Sequence, residues 1–142
     1  MASDARLVTA ILDAFVDFEL IGDYAYEIVR LSSSMKHRPL SQITSQASEV
    51  GATIRTSLTT AIEVWRTGYH DQALSVRPQE AAIRAGCGML YEKLSQFVST
   101  PGEGAVYVDL MLICRHLERI LRHAVCVADQ AADAAPTRRE SP

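Results

Sequence analysis

The chain has 142 residues, of which 48% are apolar and 22% charged, and its formal net charge at pH 7 is −3. This length predicts one domain with a buried core, and the negative charge provides no broad basic field for nucleic acid. Uninterrupted apolar runs such as Leu110 to Cys114 are too short for a membrane span. Because Asp4, Arg6 and Asp13 also interrupt any signal-peptide core, we expect a cytoplasmic protein without membrane insertion.

The first predicted helix runs from a cap at Ser3 or Asp4 to about Leu31. Its apolar residues step alternately by three and four positions, which predicts a packing seam. The seam consists of Val8, Ile11, Phe15, Phe18, Gly22, Ala25 and Val29. Since Gly22 has no side chain, we expect a neighbouring helix to approach closely at that point.

The second predicted helix is capped by Ser41 and ends near Gly68. Its apolar face comprises Ile43, Ala47, Val50, Ile54, Leu58, Ala61 and Trp65. The third predicted helix is capped by Asp71 and stops at Pro101. Pro78 predicts that this helix is kinked there or split into two segments.

The fourth predicted helix begins at Ala105 or a neighbour and carries the longest seam in the chain. That seam consists of Val106, Leu110, Ile113, Leu117, Ile120, Ala124, Val127 and Ala131. Four amphipathic helices joined by short loops predict an all-α, up-and-down antiparallel four-helix bundle over residues 1–133. Residues 134–142 are predicted to form a flexible tail.

Glu19, Asp23 and Glu27 form the most conspicuous polar pattern, because residues four apart lie above one another on one face of a helix. Like charges at this spacing repel by a few tenths of a kcal/mol per pair. The stripe is either a solvated acidic face or a divalent-cation site. One helix supplies at most three oxygens and hard cations require more, so a second helix, a subunit or water would have to complete such a site.

An internal repeat relates the first and fourth helices. In one register Glu19 aligns with Glu118, Ile21 with Ile120, and their neighbouring apolar seams coincide. The two segments read Glu-Leu-Ile-Gly-Asp-Tyr-Ala-Tyr-Glu-Ile and Glu-Arg-Ile-Leu-Arg-His-Ala-Val-Cys-Val. Both resemble the Glu-Arg-Ile-Gly-Asp-x-Ala-x-Asn-Ile signature of the PhoU family, the regulators of bacterial phosphate transport.

The resemblance implies one complete three-helix repeat preceded by the last helix of another, as in a shortened member that lacks the first two helices. It implies iron or another divalent metal on Glu/Asp-x-x-x-Asp pairs, which places Glu19 and Asp23, with Glu27, in the first copy. No cofactor follows from the residues alone. The second copy keeps Glu118 but is degenerate, since Arg122 and Cys126 replace the family's Asp and Asn. Arg122 is four residues from Glu118, and we expect the two to pair where a metal would sit.

By the same resemblance, the partners are the ATPase of the phosphate importer and a sensor kinase, and a homodimer would cover the apolar surface of a half-lost repeat. The face formed by Arg115, Glu118, Arg119 and Arg122 is either solvated or a patch for an anion or a partner.

The remaining residues show no catalytic signature. The three cysteines have no metal-ligand spacing, and we expect buried free thiols. We therefore predict a regulator that acts by contact and is not an enzyme. The alternatives are a divalent-metal-binding bundle and a structural adaptor without a phosphate role.

Overall fold

A computed structural model describes residues 2–35, 39, 41–67 and 75–134 of the chain. These residues form four helices, α1 (Ala2–Ser34), α2 (Ser41–Thr67), α3 (Val76–Ser95) and α4 (Gly104–Ala134), and contain no strand. The all-α class is therefore confirmed. The predicted ends at Gly68 and Asp71, and the tail beyond residue 134, lie outside the described residues. None of the helices in the described ranges is long and apolar enough to span a membrane.

Helices α2, α3 and α4 pack against one another as a three-helix unit. The Trp65 indole donates to the Val127 carbonyl at 2.9 Å, and Ile43, at the other end of α2, lies in one cluster with Leu110, so α2 runs parallel to α4. Arg77 pairs with Asp129, whereas the far end of α3 lies beside the middle of α4, so α3 runs antiparallel. The up-and-down order predicted from the sequence is confirmed.

The core of the three-helix unit runs along α4. The predicted α4 seam is confirmed, since all of its members are buried except the half-buried Leu117. One group of buried residues surrounds Leu94 and Tyr107, a second surrounds Val64 and Val127, and a third lies between them around Ile120. Continuous burial over this length explains why α4 touches every other helix.

Helix α1 lies on the outside of this unit and its backbone approaches that of α4 alone. Asp17 contacts His123, and Tyr24, further along α1, stacks on His116. Residue numbers therefore rise on α1 as they fall on α4, which means that the two helices are antiparallel. Within the described ranges, the backbone of α1 therefore contacts that of α4 but not those of α2 and α3.

The packing seam predicted for α1 is wrong. Its members are exposed, and a Cβ added at Gly22 would meet no atom within 4 Å, so no helix approaches there. The face of α1 turned to α4 carries Ala10, Ala14, Asp17, Ile21, Tyr24, Ile28 and Leu31. This second ladder also has three-four spacing. Its alanines and aspartate made it the less apolar of the two, but the aspartate finds partners on α4.

One prediction about a helix start is corrected: α1 begins at Ala2, so Ser3 and Asp4 lie inside its first turn and not before it. The split of α3 into two segments stays a prediction, because residues 71–74 lie outside the described residues. The described part of α3 begins at Val76, which places Pro78 in its first turn and not at an internal kink. Backbone amides in the first turn have no carbonyl partner within the helix, so a proline is accommodated there without loss.

Candidate functional site

The predicted acidic stripe lies on a face of α1 that does not pack on α4. Glu19 and Asp23 are exposed, and Glu27 is half-buried. Arg30 donates to one Glu27 oxygen from Nε at 2.9 Å and from Nη2 at 2.7 Å. These hydrogen bonds hold the pKa of Glu27 below its ordinary value. A cation that used Glu27 would therefore have to compete with Arg30.

A metal at this stripe stays a prediction. In the described ranges, no group of three or more His, Cys, Asp or Glu side chains is arranged to hold a metal ion. Glu19 and Asp23 are nevertheless open to solvent at the spacing that the sequence pattern requires. Within the part of the chain that the structure describes, neither has an ion-pair partner. The residues that fit a metal on α1 are therefore these two carboxylates, with Glu27 only if Arg30 moves away.

The second copy of the motif lies on α4, and its pairing differs from the expectation. Glu118 accepts from Arg115 at 3.3 Å and faces the Tyr91 hydroxyl at 3.5 Å. The predicted pairing of Glu118 with Arg122 is therefore wrong. Cys126, the third position of the copy, is a half-buried free thiol whose pKa is raised chiefly by burial.

The degenerate copy opens onto a cleft of about 300 Å³ between α3 and α4. We call this the arginine cleft; it is lined by Glu80, Arg84, Arg115, Glu118, Arg119, Leu121 and Arg122. Each of the two glutamates is matched by one arginine, Glu80 with Arg84 at 2.6 Å and Glu118 with Arg115.

Two arginines of the cleft are left without a carboxylate. The Arg119 guanidinium lies 5.3 Å from the centroid of the Tyr24 ring, within the range of a cation–π contact. Among the described residues, no carboxylate pairs with Arg119 or Arg122. The cleft therefore carries a net excess of two positive charges, and guanidinium groups bind carboxylates and phosphates through paired hydrogen bonds. At the position where the motif would hold a cation, this chain is suited to an anion.

Helix α1 is fastened to α4 by a buried polar cluster that sequence reasoning missed. Asp17 is 9% exposed, and its Oδ1 lies 2.6 Å from Nδ1 of His123. The Gln130 amide donates to Oδ2 of Asp17 at 2.7 Å. The available signal was the position of Asp17 within the second three-four ladder of α1, which places it on the same face as Ala14 and Ile21.

Tyr24 extends this contact toward the arginine cleft. Its ring stacks on His116 and His123, with centroids 5.6 and 5.7 Å apart. Burial, followed by the charge of Arg119, holds the pKa of His116 below its ordinary value, so the imidazole that stacks here is neutral at pH 7. Because Arg119 also lines the cleft, the docking of α1 positions one of its two unpaired arginines.

The buried thiols show no sign of activation. Burial raises the pKa of Cys87 to about 11 and that of Cys114 to about 12, with a smaller contribution from the charge of Glu118. A nucleophilic thiol requires a lowered pKa. The expectation of buried free thiols is confirmed for these two cysteines.

The geometry defines an all-α protein in which a three-helix unit carries a fourth helix along its outer side. The family model for the PhoU domain matches residues 47–131, which is more than half of the chain. The match contains all of α3 and most of α2 and α4. The chain belongs to the PhoU domain family, as the repeated motif indicated. No curated protein and no solved structure shows significant similarity to it.

Proposed function

We propose that the chain is a PhoU-like cytoplasmic regulator of phosphate uptake and of phosphate-responsive signalling. The PhoU domain match over the three-helix unit supports this proposal. The regulator would act by protein–protein contact, with the ATPase of the phosphate importer and a sensor kinase as partners, and not by bond chemistry. A homodimer is part of the proposal, because α1 leaves large apolar side chains exposed.

The arginine cleft is the surface best suited to a partner contact. Its unpaired guanidinium groups, on Arg119 and Arg122, would receive an acidic side chain of the partner in paired, charge-assisted hydrogen bonds. Such contacts add specificity and speed association as well as affinity. The excess positive charge of the cleft is the observation that favours this surface over the acidic stripe of α1.

The test is capture of the importer ATPase by the tagged protein from phosphate-replete cells. We expect recovery with the unaltered chain and a reduction of about tenfold or more with the double variant R119A/R122A, the loss of two charge-assisted contacts. The matched control is R55A, which removes an exposed arginine from α2. Absence of the ATPase with the unaltered chain would overturn the regulatory proposal. Equal recovery with R119A/R122A would overturn only the assignment of the cleft.

A divalent-metal-binding role for α1 is the second proposal, and it rests on the exposed Glu19 and Asp23 at i and i+4. We expect iron, manganese or zinc in the purified protein, and a decrease to background in the double variant E19Q/D23N, because two oxygens are lost together. D13N, which alters another exposed acid of α1, is the control. A metal content that E19Q/D23N leaves unchanged would exclude this site. If neither the ATPase nor a metal is found, the structural adaptor remains.

A further inference from the structure

Among the described residues, α1 carries most of the large apolar side chains that stay exposed, chiefly along one side of the helix. Phe15 is 69% exposed, Val29 63% and Val8 56%. We call the residues along this side the outer seam: Val8, Ile11, Phe15, Phe18, Gly22, Ala25 and Val29. With the adjacent Leu12 and Tyr26, it presents an apolar area on the order of 700 Å², since an aromatic side chain alone accounts for roughly 200 Å² when fully exposed.

This area is large for a surface that stays in water. The largest apolar patch on a typical monomer covers roughly 300–600 Å², whereas a stable protein–protein interface buries about 800 Å² on each partner. The outer seam is therefore close to the size that one partner of a standard interface contributes.

The outer seam also has the register of a helix–helix contact. Its members alternate between steps of three and four, so they fill the a and d positions of successive heptads. The face packed on α4 repeats with the same heptad spacing, and at 3.6 residues per turn the two faces are roughly 110° apart. A helix with two such seams contacts two neighbouring helices. In the described residues the backbone of α1 approaches only that of α4, and the side chains that also reach α2 and α3, Ile21 and Leu31, belong to the face packed on α4 and not to the outer seam.

We propose that the outer seam binds the outer seam of a second copy of this chain, with the two α1 helices antiparallel. This inference rests on the homodimer of the proposed function and assigns its interface. In an antiparallel pair each a residue faces a d residue, and a two-fold axis near residue 20 places Phe18 opposite Gly22 of the second copy. The same axis places Phe15 opposite Ala25. Large side chains thus meet small ones at both central layers, which is how packed layers fill space.

The next layers of this register are also filled. Ile11 lies opposite Val29 of the second copy, and beside the seam Leu12 lies near Tyr26. Every contact occurs twice, as a two-fold interface requires. A register shifted by one heptad places Phe15 opposite Phe18 of the second copy and shortens the overlap of the two helices. The fit of large against small side chains and the longer overlap therefore both favour the axis near residue 20.

The charges beside the seam argue against a lipid surface as its occupant. Asp13, Glu19 and Asp23 are exposed on α1, and anionic membranes attract basic flanks instead. In the dimer the two Glu19 carboxylates approach each other near the axis. Repulsion between two such charges lowers an association constant by about twofold. The stabilisation from burying Phe15 and Phe18 of both chains is much larger.

Light scattering of the purified full chain at micromolar concentrations tests the dimer. We expect twice the mass of one chain. The variant F15E should associate at least tenfold more weakly, with its helical circular dichroism unchanged because Phe15 is 69% exposed. The control is L112E, at an exposed leucine of α4 outside the seam. E19Q should strengthen self-association about twofold, because it removes the repulsion between the two Glu19 carboxylates. If the seam instead bound a basic helix of another protein, the same variant would weaken that binding. A monomer at all concentrations would overturn the homodimer together with this interface.

Disulfide formation between two differently substituted chains tests the orientation, in a C126S background that removes the half-buried thiol. Chains carrying I11C mixed with chains carrying V29C should cross-link, because the antiparallel register places these positions together. I11C alone would cross-link to itself only if the helices were parallel. A dimer that cross-links through neither pair would overturn the outer seam as its interface while leaving the homodimer intact. Capture of the importer ATPase is measured separately and stands or falls on its own.

Discussion

Replacing Leu94 by alanine is expected to lower the free energy of unfolding by about 3–4 kcal/mol. Leu94 is fully buried in α3 and packs in one cluster with Tyr107 and Leu110 of α4. Removing its side chain loses the transfer energy of three carbons and leaves a cavity that the neighbouring helices cannot fully close. Urea denaturation followed by circular dichroism measures the change as a lower midpoint at constant slope.

The matched control is L112A, which makes the same chemical change at a leucine of α4 that is 45% exposed. We expect a loss of about 1 kcal/mol or less, because nearly half of that residue is already exposed to water. Equal losses for L94A and L112A would mean that the three-helix unit does not pack as described. The comparison therefore tests the core independently of the dimer and of every functional proposal.

The three-helix unit was predictable from apolar periodicity because its buried faces are also its most apolar faces. On α4, the three-four seam from Val106 to Ala131 faces the core, and the apolar residues beside it, such as Tyr107 and Leu121, are buried as well. The same rule failed on α1, where two seams compete. The more apolar one, with Phe15 and Phe18, stays exposed, because periodicity shows which residues share a face and not which partner is present.

Spacing placed Asp17 on the second ladder of α1, but for a related reason it could not show that this aspartate is buried or which partners it has. An aspartate on a packed face is unfavourable by itself, and only partners from another helix reverse that preference. Asp17 finds His123 and Gln130, both far away in sequence. The arginine cleft was anticipated only as a charged face of α4. Its charge balance depends on Glu80 and Arg84 of α3. The sequence predicted a kink or a split near these residues and so did not define their position relative to α4.

The internal repeat acquires a physical meaning from these contacts. The first copy presents unpaired carboxylates at Glu19 and Asp23, and the second presents unpaired guanidinium groups at Arg119 and Arg122. The two copies of one motif thus offer opposite charges on neighbouring helices. In the two functions proposed above, each copy binds through one helix face, and the charge of that face is negative in the first copy and positive in the second.

Replacing Asp17 by alanine should cost about 2–4 kcal/mol, because it leaves His123 and Gln130 on a packed surface without their acceptor. The Asp17 side chain is 12% and the His123 side chain 19% exposed, so water replaces the lost contacts only in part. Removing one partner of a buried hydrogen-bonded pair leaves the other unsatisfied, which is more costly than removing both. The double variant D17L/H123L should therefore be less destabilised than D17A alone.

Because Asp17 belongs to the contact that holds α1 on α4, this loss should appear first in α1. Hydrogen exchange of D17A should show faster exchange in α1 than in the three-helix unit, since among the described residues the backbone of α1 contacts only that of α4, and its Ile21 and Leu31 alone are buried with side chains of α2 and α3. The control is D13A, an exposed acid on the same helix, with a change within about 0.5 kcal/mol. Uniform exchange across all four helices in D17A would instead show that α1 and the three-helix unit unfold together. Separate opening of α1 would also weaken self-association, because the outer seam lies on the helix that this contact helps to hold in place.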